Sequence, residues 1–170
     1  MRQELDKALC ERYPLIFADR NLGPAESCMS WGFECGDGWY NIIDTLCAAI
    51  QGQIDQRNKQ IAYRTKINDM IWEYGHGNRE PLLEYAPNNF NWYLKMGIQE
   101  VPDPITQVVA QQVKEKYGGL RFYYSGGDDT IHAYVTFAEY LSERTCDVCG
   151  APGKQSGGGW IVTRCKEHEV

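Results

Sequence analysis

The residues best suited to chemistry lie near the end of the chain, where the pair in Cys146-Asp147-Val148-Cys149, followed by Gly150, is separated by 15 residues from the pair in Cys165-Lys166-Glu167-His168. Three thiolates and one imidazole are a tetrahedral donor set, and they predict one Zn2+ per chain bound by Cys146, Cys149, Cys165 and His168. All four positions are then filled by protein, which leaves no vacancy for water or substrate. The expected metal is therefore structural rather than catalytic. A redox dithiol would account for Cys146 and Cys149 alone and would leave Cys165 and His168 unused.

Gly150 allows a tight turn behind the second cysteine. Pro152, Gly153 and Gly157-Gly158-Gly159 predict a turn leading into a short strand at Trp160-Ile161-Val162-Thr163. Cys165 and His168, three apart, share one face of a helical turn. Knuckle, hairpin and helix start together resemble the treble-clef class of zinc fingers, with histidine as the fourth ligand, over roughly the last 27 residues.

The chain has 170 residues, enough for one substantial core with a small appendage. Its 43% apolar content is spread along the length, which argues against wholesale disorder. The first residues lack an apolar signal core, and no apolar run approaches a membrane span, so a soluble, non-exported protein without membrane association is expected. Seven cysteines, an odd number with metal-like spacing, favour the cytoplasm over a disulfide-forming compartment. The 17 Lys and Arg against 23 Asp and Glu give a net charge of -6, poorly matched to nonspecific phosphate binding. Residues 51–79, with 5 basic and 3 acidic groups, are the one clearly positive segment.

The elements that must position these groups follow from periodicity. Leu5, Leu9 and Tyr13 mark a first helix ended by Pro14, and residues 20–38 are turn-rich. Asp37 is placed to cap a helix from near Gly38, in which Trp39, Ile42, Ile43, Leu46, Cys47, Ile50 and Ile54 recur at three and four. Ile61, Ile67, Met70 and Ile71 extend the stripe, as one helix or two, to Gly75-His76-Gly77-Asn78. From Arg79 to Pro104 the periodicity is poor, and an irregular segment pinned by aromatic side chains is expected. Asp103-Pro104 then reads as a helix start, with Ile105, Val108, Val109, Gln112 and Val113 carrying a helix to about Tyr117, where Gly118-Gly119 stops it. Leu120–Tyr124 reads as a strand, and Asp128 as the cap of a helix that runs into the first cysteine pair. The fold class is α+β: a mainly helical body over residues 1–143 with a short β element, and a zinc-binding module over 144–170 packed on it.

Two tracts are candidates for a partner or ligand surface. Glu34-Cys35-Gly36-Asp37-Gly38-Trp39 offers Glu34 and Asp37 for polar contacts and Trp39 for stacking. Turn geometry, capping and core roles account for the same residues. In the strand, Arg121 and Tyr123 face away from Leu120 and Phe122 and make a candidate binding face, while Asp128 and Asp129 are cap residues or cation ligands. Cys28, Cys35 and His76 are a weaker second ligand set. No catalytic constellation stands out, although His132 near Asp128 permits an acid/base reading.

The tract Val113–Tyr124, the following Gly126-Gly127-Asp128-Asp129, the 34–39 stretch and the Cys-rich end resemble a group of small proteins encoded by bacteriophages and prophages. The resemblance brings no catalytic residue with it. It implies an accessory role in the host bacterial cytoplasm, such as binding and inhibiting a host defence protein. Two other functions stay open on the residues. Nucleic-acid or nucleotide binding would require Arg57, Lys59, Arg64 and Lys66, or Arg121 with its aromatic neighbours, to form a patch. A metal-dependent hydrolase would require His132, Asp128 or Asp129 to converge with the 34–39 tract.

Overall fold

The computed structural model describes residues 1–157 and 159–169. The fold is α+β, with a long helix and two small antiparallel sheets. It divides into two compact units, residues 1–53 with 106–170, and residues 54–105.

In the first unit, α1 (Gln3–Arg12) buries Leu9 and places Asp6 in the interior. Arg20 grips Asp6 through two nitrogens, each 3.1 Å from a carboxylate oxygen, while its third nitrogen donates to the Ser30 carbonyl. Phe33 N–H adds a bond to Asp6 at 3.3 Å. The turn-rich 20–33 region is therefore ordered around one buried carboxylate, whose negative charge is met by a fork-shaped cation.

The helix α2 (Tyr40–Gly75) is continuous for 36 residues. One helix spans the region where one or two were expected. Gly52 lies on its exposed face with open space about its Cα, so its cost of about 1 kcal/mol is a propensity cost alone. Buried Ile50 and Ile54 on either side of it offset that cost.

The segment expected as a helix from Asp103 to Tyr117 is instead a strand, β1 (Val109–Lys116), paired antiparallel with β2 (Gly119–Ser125). The register shifts between Ala110 and Gln112. This bulge leaves Gln111 exposed and turns both Ala110 and Val113 inward, a spacing of three that imitates a helix. Gly118-Gly119 is no helix stop. Tyr117 (φ 55°) and Gly118 (φ 74°) are both left-handed and form the two-residue hairpin turn that joins the strands.

A lone hairpin is marginal in water, and here both edges are covered. On the β1 side, Glu34 N–H donates to Val113 O at 3.0 Å, Glu115 N–H to Glu34 O at 2.9 Å and Ala110 N–H to Ile16 O at 2.7 Å. On the β2 side, α5 (Asp129–Ser142) supplies side chains. Ser142 Oγ accepts from Leu120 N–H at 2.7 Å and Glu139 from Phe122 N–H at 2.9 Å. The expected cap of α5 is present, with Asp128 accepting from Ile131 N–H at 3.0 Å.

In the second unit, residues 79–104 are not irregular throughout but contain α3 (Glu80–Tyr85) and α4 (Phe90–Met96). Ile67, Met70 and Leu82 form its core, with Tyr74, Phe90 and Tyr93 packed around them. Asn68 holds the return segment, accepting from Gln99 N–H at 2.8 Å and donating to Gln99 O at 2.7 Å. Arg57 donates to Asp103 O at 2.8 Å and Arg64 to Glu100 O. Positions 57, 64 and 68 share a helix face, so three polar side chains tie down a segment with little regular structure of its own.

Candidate metal centre

The residues after α5 form a tight knuckle. Gly150 N–H donates to Cys146 O and Cys146 N–H to Ala151 O, both at 2.8 Å. The chain then forms a second hairpin from β3 (Lys154–Ser156) and β4 (Val162–Arg164). Past Cys165 it makes one hydrogen-bonded turn, closed by His168 N–H on Cys165 O at 3.0 Å.

These elements bring the four predicted ligands together. Cys146, Cys149 and Cys165 Sγ and a ring nitrogen of His168 all lie within 4.8 Å of one another. Cys149 and Cys165 Sγ are 3.7 Å apart, and His168 Nδ1 is 3.7 Å from Cys146 Sγ and 3.2 Å from Cys165 Sγ. Donors placed about 2.0–2.3 Å from a common centre on a tetrahedron have edges of about 3.3–3.8 Å, and these three separations are close to that range. It is too open for a disulfide, whose sulfurs lie about 2.05 Å apart. Burial would push the Cys146 thiol up, but the N–H groups of Cys149, Cys165 and Val148 outweigh it and bring the thiol down to about 6. Those peptide dipoles favour thiolate, the metal-binding species. Among the described residues this is the one group of three or more His, Cys, Asp and Glu able to hold a metal ion.

The 34–39 tract, offered above as a ligand surface, is largely the seat of the knuckle. A Cβ on Gly36 would lie 1.8 Å from Asp147 O, and one on Gly38 2.1 Å from Cys146 O. The glycines are there for close backbone approach, not turn geometry. Gly38 N–H donates to Asp147 O at 2.8 Å, and Asp147 N–H in turn donates to Thr163 O at 3.1 Å. Trp39 is fully buried and cannot present a stacking surface; its indole N–H donates to Thr145 O at 2.8 Å. Asp37 does not cap α2. Its carboxylate accepts from Arg2 N–H at 2.7 Å and pairs with the Arg2 guanidinium, contacts that sequence spacing could not reveal. The Arg2 backbone N–H, more than its charge, holds the Asp37 carboxyl below its ordinary value.

Asp147 and Arg164 form a further pair that sequence reading missed, Oδ1 to Nε at 3.0 Å, both largely buried. Their geometry is that of an ion pair rather than an aligned hydrogen bond. Burial raises the Asp147 carboxyl, and Arg164 opposes the shift.

The other candidates fall elsewhere. Tyr123 and Arg121 lie on the outward side of β2, as predicted. Tyr123 is half-exposed with Lys114 Nζ 5.5 Å from its ring centre, while Arg121 donates to the Leu120 carbonyl at 2.7 Å. Glu34 joins that sheet face through Gln112, at 3.1 Å. Asp128 is engaged as a helix cap, Asp129 is exposed in the first turn of α5, and His132 Nδ1 meets Tyr124 OH at 3.3 Å. Of the second ligand set, Cys35 is buried, which pushes its thiol up to about 12, and His76 stacks on Trp72 at 4.0 Å. Among the described residues no helix is long and apolar enough to cross a membrane. No protein-family model, curated protein or solved structure matches the chain.

Proposed function

We propose that Cys146, Cys149, Cys165 and His168 hold one structural Zn2+ in a treble-clef-like module. On this reading the chain is a zinc-stabilised accessory protein of the phage or prophage kind its motifs resemble. It acts in the host cytoplasm by binding a host protein, such as a defence factor, and modulating or inhibiting it. The reading rests chiefly on an uncharged groove of about 310 Å3 in the unit that the ligand cluster closes. Thr45 and Ala49 of α2 line it together with Tyr134, Phe137 and Leu141 of α5. Phe137 is 70% exposed beside this groove, and a partner seated there would remove its ring from water. The helix that carries Tyr134, Phe137 and Leu141 ends at Ser142, four residues before Cys146, so the metal would brace the binding face.

Metal analysis of the purified protein should give about one zinc per chain, and Cys146→Ser and Cys165→Ser should lose it. Unchanged metal content in both variants would remove the zinc assignment. For the partner, tagged wild type and Phe137→Asp are compared in nuclease-treated host lysate. A defined host protein should be retained in near-stoichiometric amount by the wild type and lost from the variant; equal retention would defeat the reading.

A further inference from the structure

The second unit carries an aromatic pocket of about 200 Å3 that is separate from the metal centre. Tyr63, Trp92 and Tyr93 line it together with Arg64 and Met96. Trp92 and Tyr93 meet edge to face, with ring centres 4.9 Å apart at 82°, and Tyr63 OH lies 3.4 Å from Tyr93 OH. Trp92 is nevertheless 54% exposed and Tyr63 48% exposed. Two large aromatic side chains thus remain open to solvent beside fixed neighbours, an arrangement that suits a planar guest rather than a sealed core.

The charge around the pocket says which guest. Arg64 is part of the wall and is anchored by its bond to Glu100 O. Lys66 Nζ lies 4.7 Å from the centre of the Tyr85 ring, and Tyr85 packs on Tyr93 with centres 6.1 Å apart. Lys59, Tyr63 and Lys66 are spaced four and three along α2 and so share a face. A quaternary or methylated ammonium, the usual guest of an aromatic cage, would meet Arg64 and Lys66 and be repelled. A π-ring carrying a negative group is favoured on both counts. The volume falls below the roughly 300–1,000 Å3 of sites that enclose a drug-sized molecule, so one ring system fits and the rest of the ligand lies outside.

We propose that this pocket binds a nucleobase, stacked on Trp92, with its phosphate on the Lys66 side. A free nucleotide and a single strand present the same chemistry to such a pocket, and the test below separates them. The combination of stacking rings and flanking cations is the general mode for single strands, and here the cations come from the 57–66 stretch of α2.

The test is fluorescence anisotropy of labelled dT12 and rA12 at about 50 mM salt, with AMP and ATP as competitors, on the full-length protein. Saturable binding is expected. Trp92→Ala should weaken it about tenfold or more. Lys66→Glu should weaken it and flatten the salt dependence by about one ion. Trp31→Ala, which removes an exposed indole from the other unit, should leave it unchanged. Competition by AMP would identify a free nucleotide as sufficient, and binding of oligonucleotide alone would identify a strand; either upholds the site. Circular dichroism checks folding, and if Trp92→Ala unfolds, Lys66→Glu and Tyr63→Ala decide. No saturable binding of any probe, or wild-type affinity in the folded variants, overturns the proposal.

Discussion

The backbone N–H of Gly38 donates to the carbonyl of Asp147 at 2.8 Å, across more than one hundred residues of sequence. The contact seats the cysteine knuckle on the entry to α2 and leaves no room for a side chain at position 38. Gly38→Ala should therefore destabilise the protein by about 1–3 kcal/mol, the range for overpacking a tight site. It should also weaken metal retention, because the displaced backbone carries Cys146. Thermal melting and competition with a chromophoric zinc chelator would measure the two effects.

Metal removal should loosen the C-terminal hairpin before the rest of the first unit. Hydrogen exchange with and without chelator should show loss of protection at Asp147 N–H, which is bonded to Thr163 O, and at Cys146 N–H, bonded to Ala151 O. The β1–β2 amides should be less affected. Uniform loss throughout the unit would mean that the metal supports the whole unit rather than this end.

Asp37 makes the stability depend on acid. Arg2 holds its folded carboxyl below the ordinary value of about 3.9, so the contact contributes fully above that value. The contribution is lost as pH falls through the lower, folded value. Asp37→Asn should flatten the acid limb of the stability curve below about pH 4 relative to wild type. Urea titrations at pH 3 and pH 6 would show it; an identical difference between wild type and variant at both would refute it.

The buried pairing of Asp6 with Arg20 organises the loop that follows α1. Asp6→Ala leaves the guanidinium without its partner. Losing one member of a buried pair costs about 3–5 kcal/mol, and the partial exposure of Arg20 lowers that to about 2–3 kcal/mol. Chemical denaturation measures the loss. Asp6→Asn, which keeps two acceptor lone pairs, should recover part of it.

Much of this protein could be read from local spacing. Cys146 with Cys149, and Cys165 with His168, are three apart, and a turn brings each pair together whatever the remaining fold does. The Asp128 cap and the in-and-out alternation of β2 are legible for the same reason: the partners lie within a few residues. Contacts between distant segments left no such mark. The bulge at Gln111 placed two inward residues three apart, so a strand carried a helix's spacing. Gly36 and Gly38 resembled turn residues until the Cys146–Asp147 backbone was seen packed against them. Trp39 and Asp37 looked available for a ligand, whereas one is buried on Thr145 and the other is paired with Arg2. The donor set was thus determined by sequence, because short-range geometry suffices to define each half. How the halves meet, and what they rest on, was decided by tertiary structure, because it depends on backbone approaches over more than one hundred residues that no local periodicity encodes.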